Sequence, residues 1–297
     1  MLHPISLSIA VLVSFASVSS AFAKIEVHGH RGARAMRPEN TLPAFEYAIE
    51  AGADVLEFDL TVTKDDQILV THDLEINPEI CLAPGGKKIE GKHGPAIRSL
   101  MLAEAQAYDC GTLKNPRFPK QTPVPGTRMP TFAQVFQMVK DSKNPNAARV
   151  QFNIETKIVP TRPDLSPEPA PFVRQILAMV DHFGMRNRVI LQSFDHRTLV
   201  EAKKIAPKLR TSALVSDNFM ADWVGLARAA HADIISPDSD WMDHATVEKL
   251  HAAGVKVAPW TVNDAEGWDR MVKIGADAVI TDDPAGLIAY LKAKGLR

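Results

Sequence analysis

The feature that most constrains this chain is an almost unbroken alternation of short apolar runs with helix-patterned stretches, from Ile25 to Ala293. Ile25 to His28 is a short apolar run, and Thr41 to Ala51 carries Leu42, Phe45, Ala48 and Ile49 at helical spacing behind Thr41 as a candidate N-cap. Val55 to Val62 and Gln67 to Thr71 read as strands. From Thr131 the pattern is regular, with helix Thr131 to Lys140 before strand Val150 to Ile154 and helix Ala170 to Phe183 before strand Val189 to Leu191. Strands Thr211 to Val215, Asp233 to Ile235, Val255 to Ala258 and Ala278 to Ile280 follow, each trailed by a helical stretch. Ala51-Gly52-Ala53-Asp54, Ala230-His231-Ala232-Asp233 and Ile274-Gly275-Ala276-Asp277 are near repeats, and each ends a helix and opens a strand. Eight such units in about 270 residues predict an α/β fold of the (β/α)8 TIM-barrel type. A doubly wound open sheet is the rival, but no Gly-x-Gly-x-x-Gly turn follows the first strand.

Residues 75 to 128 break the alternation: they are rich in Pro, Gly and Lys and hold only one helical stretch, Leu100 to Tyr108. We read them as an inserted lobe without the apolar periodicity for a core of its own. The whole chain has 297 residues, 45% hydrophobic, which is enough for one large domain over residues 24 to 297. A net charge of -1 gives no nucleic-acid footprint and no basic membrane-binding face.

Residues 1 to 23 read as a secretory signal peptide, with an apolar run from Ile5 to Val18 before the cleavage-type triplet Ala21-Phe22-Ala23. A retained N-terminal anchor is the alternative, because no Lys or Arg precedes that run. Cleavage there would start the mature chain at Lys24, with no stable membrane span and a periplasmic or secreted location. Cys81 and Cys110 are the only cysteines, and in an oxidising compartment an isolated pair is expected to form a disulfide. Closing a loop of about 30 residues is worth roughly 3 to 4 kcal/mol on the chain-entropy account.

In a barrel, chemistry sits at the C-terminal ends of the strands. His30, Glu57, Asp59, His72, Glu155, Gln192, Ser193, Trp260 and Asp282 all fall at such ends. Glu57 and Asp59 are two apart in a strand, so both side chains point to one side. Two adjacent carboxylates repel, and a divalent cation relieves that cost. Asn153, Glu155 and Lys157 repeat the spacing on the next strand. Three carboxylates without Cys or His favour a hard ion, Ca2+ or Mg2+, over Zn2+. A salt-bridged surface strand is the plainer reading of Glu57 and Asp59, and the flanking Leu56, Phe58 and Leu60 argue against it. His30 and His72 are the natural proton donor and acceptor, since imidazole titrates near neutrality. His28 lies deeper and reads as a core residue or as a support behind the site. Arg31 can fork onto two phosphate oxygens, and Lys157 can add a point charge. Arg34 and Arg37 read as a solvated basic rim, and the remaining histidines receive no role.

These residues carry a resemblance. His30-Arg31-Gly32, Pro38-Glu39-Asn40-Thr41, Gly52-Ala53-Asp54-x-x-Glu57-x-Asp59, Val70-x-His72-Asp73 and Asn153-x-Glu155-x-Lys157 together resemble the glycerophosphodiester phosphodiesterase family. Gln192-Ser193-Phe194-Asp195, Pro259-Trp260-Thr261-Val262-Asn263 and Gly275-Ala276-Asp277-x-x-x-Thr281-Asp282 extend the similarity to the C-terminus. The resemblance implies a (β/α)8 barrel with an inserted lobe at this place. It implies His30 and His72 as the acid/base pair, and Glu57, Asp59 and Glu155 as ligands of one Ca2+ or Mg2+ ion. Arg31 and Lys157 would contact phosphate, Glu39 and Asn40 would support metal and phosphate, and Trp260 would wall the glycerol. Gln192 is counted among the supporting residues. The implied reaction is cleavage of a small glycerophosphodiester to glycerol 3-phosphate and an alcohol, through attack by the glycerol 2-hydroxyl and opening of a cyclic phosphate by water. Two other readings stay open: a lysophospholipase-D-like activity on longer lipids, and a non-catalytic exported binding protein. An amidohydrolase reading of His28-x-His30 fails for want of histidines at the middle strand ends, Val215-Ser216-Asp217 and Ile235-Ser236-Pro237-Asp238.

Overall fold

The computed structural model describes residues 24–216 and 220–297, so the expected signal segment, residues 1 to 23, lies outside the described residues. The chain begins with β1 (Glu26–Gly29), α1 (Leu42–Ala51), β2 (Val55–Val62) and β3 (Ile68–Val70), and enters the lobe, whose one-turn α2 spans Leu102–Ala105. It continues through α3 (Phe132–Asp141), β4 (Gln151–Thr156), α4 (Pro169–His182), β5 (Val189–Ser193), α5 (Arg197–Ile205) and β6 (Arg210–Val215). It ends with α6 (Trp223–Ala229), β7 (Ile234–Pro237), α7 (His244–Ala252), β8 (Lys256–Val257), α8 (Ala265–Ile274), β9 (Ala278–Thr281) and α9 (Pro284–Ala293).

Eight of these strands lie parallel in the order β8-β7-β6-β5-β4-β2-β1-β9. The seam between the two ends is bridged by backbone bonds: Asp277 N–H donates to Val257, Ile280 N–H to Pro259, and Val262 N–H to Ile280. The result is the expected barrel with helices outside. Along β2, Leu56, Phe58 and Leu60 face the helices, where Phe58 meets Phe45 of α1 at 5.4 Å and Phe132 of α3 at 5.9 Å between ring centres. The alternate residues Glu57, Asp59 and Thr61 are also fully buried, so β2 commits carboxylates to the barrel interior. The near repeats explain themselves at the opposite end. Gly52 and Gly275 take the left-handed conformation that ends α1 and α8. The aspartates that follow accept the N–H of the second residue of the neighbouring strand: Asp54 from Val27, Asp233 from Thr211 and Asp277 from Val257, at 2.8–2.9 Å.

Three expectations need correction. β3 is not a barrel strand; it runs antiparallel to β2, with Leu60 opposite Val70 and Val62 opposite Ile68. β2 overshoots the barrel rim, turns through Asp66 and sends the chain back along itself, so Thr71 N–H bonds the Asp59 carbonyl at 3.1 Å. His72 therefore reaches the rim by a returning hairpin. The segment after Glu75 also has a small core, formed by Ile76, Ile97, Ala105 and Met129 around the Cys81–Cys110 disulfide and Leu69 of β3. Periodicity could not show it, because its members come from turns and bridges. The expected helix Leu100 to Tyr108 shrinks to α2, after which the chain pairs Asp109 with Leu82 and delivers Cys110 to Cys81. Among the described residues, no helix is long and apolar enough to cross a membrane.

Candidate active site

Strand register assembles the acidic cluster. β2 and β4 pair with Glu57 opposite Asn153 and Asp59 opposite Glu155, so the three carboxylates share the inner face at the C-terminal end of the barrel. One oxygen of each lies within 4.8 Å of the others. The neighbours hold them in place. Gln192 on β5 donates to Glu57 Oε1 at 2.7 Å and accepts from Asn153 at 2.8 Å, and His28 sits below at 3.5 Å from Asn153. His28 is thus a buried interior residue, as read.

The loop after β1 supplies the other side. Gly32 adopts φ +83, and a Cβ there would stand 2.7 Å from the Ala44 backbone, so the loop can press against α1 only with glycine at this point. Arg31 and Asn40 are themselves left-handed, at φ 49 and 55. That geometry aims Arg31 N–H at Glu57 Oε2 (2.9 Å) and the Asn40 amide at Asp59 Oδ2 (2.9 Å). The Arg31 guanidinium bonds Glu39 at 2.5 Å and stands 3.5 Å from Asp59. Lys157 bonds Glu155 at 2.7 Å and lies 3.7 Å from Asp59.

Burial, with the charges of Asp59 and Glu155, holds the Glu57 carboxyl well above its usual range. Burial also raises Glu155, against the opposing charge of Lys157. Burial acts the same way on Asp59, yet His72, Lys157, Arg31 and the Asn40 hydrogen bond keep it far below the usual carboxylate range. Asp59 Oδ1 is buried without a hydrogen-bond partner. An all-oxygen set with excess negative charge and an orphaned acceptor fits a hard divalent cation.

Each histidine is held by a carboxylate on Nδ1. His30 meets Asp282 at 2.7 Å, and His72 meets Asp73 at 2.8 Å. Asp282 also accepts from Arg34 at 2.5 Å and Asn263 at 2.8 Å, while Asp73 accepts from Asn77 at 2.7 Å. This leaves Nε2 of each ring uncommitted to those carboxylates, and His30 Nε2 stands 3.9 Å from Glu57. Burial, followed by the charge of Arg34, pushes His30 down to about 4, against the pull of Asp282.

His30, Arg31, Glu57, His72, Glu155, Gln192 and Trp260 line one cleft of ≈ 350 Å³. Glu39, Asn40, Asp59 and Lys157 pack directly behind or beside them, and the disulfide lies apart in the lobe. Trp260 donates to the Ser236 carbonyl at 2.9 Å and packs edge to face on Phe194 at 5.6 Å. Three features escaped the sequence reading. Arg34 is no rim residue; its side chain is 12% exposed and tied to Asp282. Phe194 presents 43% of its surface at the cleft, although nothing in Gln192-Ser193-Phe194-Asp195 as a sequence marks it for a role. Asp282 and Asp73 are the partners of the histidines; Asp73 was visible only as a neighbour in sequence, and Asp282 only as a strand end.

The profile of the glycerophosphoryl diester phosphodiesterase family matches residues 30–286. A glycerophosphodiester phosphodiesterase of Caldanaerobacter subterraneus subsp. tengcongensis is 30% identical over 272 residues, covering 92% of this chain and all of that one. A crystal structure from Silicibacter pomeroyi, assigned the same family name, superposes with a TM-score of 0.85 at 28% identity, covering 92% of this chain and 95% of that one. An Oleispira antarctica phosphodiesterase, solved in complex with the product sn-glycerol-3-phosphate, shares the fold with a TM-score of 0.73 at 20% identity, over 90% of this chain and 96% of that one. With most of its length matched by that profile and a relative of the same activity aligned end to end, this chain belongs to the glycerophosphoryl diester phosphodiesterase family and is an enzyme of that class.

Proposed function

We propose that this enzyme hydrolyses small glycerophosphodiesters to glycerol 3-phosphate and an alcohol in a periplasmic or secreted setting, with Glu57, Asp59 and Glu155 holding one Ca2+ or Mg2+ ion. The observation that carries this reading is the placement of two carboxylate-held histidines beside a buried three-carboxylate cluster at one end of the barrel. The product bound to the Oleispira antarctica relative supports the choice of glycerol 3-phosphate.

When bound, the cation would offset charge on a nonbridging phosphate oxygen and make a hydroxyl or water more acidic. The protein's own groups do the rest. Arg31 and Lys157 stabilise the negative charge that grows on the phosphoryl oxygens. Asn40, Gln192 and Glu39 hold Asp59, Glu57 and Arg31 in place. Asp282 and Asp73 fix the tautomers of His30 and His72, so that one Nε2 takes the nucleophile's proton and the other protonates the leaving alcohol. Attack by the glycerol 2-hydroxyl gives a cyclic phosphate, which water opens to glycerol 3-phosphate. Trp260 and Phe194 form the apolar wall for the glycerol carbons.

The test is release of glycerol 3-phosphate from glycerophosphocholine. EDTA should abolish it and Ca2+ or Mg2+ should restore it; full activity in metal-free buffer overturns the ligand assignment.

A further inference from the structure

We infer that Arg117, carried by the lobe, makes the enzyme favour glycerophosphodiesters whose leaving alcohol bears a second phosphate over those bearing a quaternary ammonium. The inference rests on the phosphodiesterase reading above and adds the class of leaving group.

Among the residues lining the cleft, Arg117 alone comes from the lobe. Its backbone is fixed by its surroundings. Asn115 Oδ1 accepts the Arg117 N–H at 3.0 Å, and the Asn115 N–H donates to Gln121 Oε1 at 2.9 Å. The Gln121 amide in turn donates to the carbonyls of Arg34 (2.7 Å) and Arg37 (3.2 Å), and Thr122 N–H donates to Met36 at 3.0 Å. Asn115 and Gln121 are both buried. The turn is therefore bolted to the loop that also carries Arg31 and Arg34. Phe118 completes the link, with the Arg34 guanidinium 5.0 Å and the Arg117 guanidinium 5.9 Å from its ring centre. At the base of the loop, Cys110 is tied to Cys81, and Asp109 accepts the N–H groups of Gly111, Thr112 and Gly126.

The other charges at the cleft are held beside the scissile phosphate by the acids around it. Arg31 serves Glu39 and Asp59, Arg34 serves Asp282, and each histidine has its aspartate. Among the described residues, Arg117 has no acidic partner, and the acids lining the cleft are Glu57 and Glu155 of the cation cluster. Arg117 is thus a full charge free to meet a substrate beyond the scissile phosphate. A guanidinium grips a phosphate through a fork of two hydrogen bonds. The competing attraction is that of an ammonium for whatever part of the Phe194 and Trp260 faces the glycerol carbons leave uncovered. Those rings meet at an interplanar angle of 88°, so one π face is already turned to the edge of its neighbour. The weaker attraction then opposes both the fork and the repulsion of one cation by another.

The experiment measures kcat/KM for bis(glycerophospho)glycerol, glycerophosphoglycerol and glycerophosphocholine with wild type, Arg117→Gln and Arg117→Glu. Rates for the first substrate are halved for its two cleavable ends. Wild type should prefer the second phosphate over choline by about tenfold, the scale of a charge-assisted contact. Arg117→Gln should bring the ratio within about twofold of unity, and Arg117→Glu should reverse it. A ratio that survives in Arg117→Gln, or a wild type that prefers choline, overturns the inference. Failure of wild type to cleave even the uncharged reference glycerophosphoglycerol would instead count against the phosphodiesterase reading.

Discussion

Replacing Asp282 with Asn, alongside the matching change at Asp73, separates the two histidines. Asp282 is 1% exposed and receives three donors, from His30, Arg34 and Asn263. An asparagine offers one acceptor oxygen and turns an NH2 group toward donors, so at least one of the three loses its partner without water to replace it. An unpaired buried polar group costs about 1–3 kcal/mol. For a domain of this size that is a fall of roughly 2–4 °C in Tm per kcal/mol. The same change frees His30 to turn or to take the wrong tautomer, so kcat should fall by about 10²–10⁴, the range of a general acid or base. Asp73 is a milder case: it receives His72 and Asn77, and its side chain is 37% exposed, so water can stand in. Asp73→Asn should cost at most about 1 kcal/mol and roughly tenfold in kcat. Glycerol 3-phosphate release under saturating cation, with thermal unfolding of the same samples, reads both effects. Asp282→Asn with kcat within threefold of wild type, or a larger loss in Asp73→Asn, refutes the reasoning.

Three further outcomes are expected. His30→Ala and His72→Ala should each lower kcat by at least about 10² while remaining folded; near wild-type turnover removes that residue from the acid/base pair. Reduction of the disulfide, or Cys81→Ser with Cys110→Ser, should raise KM and leave the barrel folded, because the bridge anchors the loop that reaches the cleft while the barrel core is separate; unchanged KM in the oxidised and reduced forms contradicts this. In the metal-free protein, the part of the stability that depends on His30 should fall as pH drops from about 6.5 toward about 4, against the opposite contribution of Glu57 and Glu155, whose raised carboxyls favour the folded state on acidification. His30 is held neutral by burial, with its folded value lowered to about 4, so the unfolded chain binds more protons at this residue across that window. The His30 contribution is present above the unfolded value and is lost on acidification, so the stability of wild type minus that of His30→Asn, from denaturant unfolding at each pH, should fall between those limits; a difference that stays constant with pH contradicts this.

Much of this site is readable in the chain because period-two spacing is a strong signal. Glu57 and Asp59 had to share a face, and so did Asn153, Glu155 and Lys157; the register that set the two rows side by side confirms a pattern already present. Direction was not readable. A run like Gln67 to Thr71 pairs equally well parallel or antiparallel, so the returning hairpin that brings His72 to Asp59 shows only in three dimensions. Arg34 was misread because Arg31, Arg34 and Arg37 together resemble a solvated face. The carboxylate that claims Arg34, Asp282, sits 248 residues away, and the same atom serves His30 across 252. Such partnerships exist only once the ring closes β9 onto β1. The lobe was opaque for a related reason: its small core is assembled from isolated turns around a disulfide and has no period.

The most direct test of the central claim is calorimetric titration of Ca2+ and of Mg2+ into metal-stripped protein. Wild type should bind one equivalent of at least one of these ions, with release of protons, because Glu57 and Glu155 hold protons more tightly than ordinary carboxyls until a cation displaces them. Asp59→Asn combined with Glu155→Gln should bind none. Stoichiometric binding that persists in that double variant, or no binding of either ion by wild type, contradicts the account.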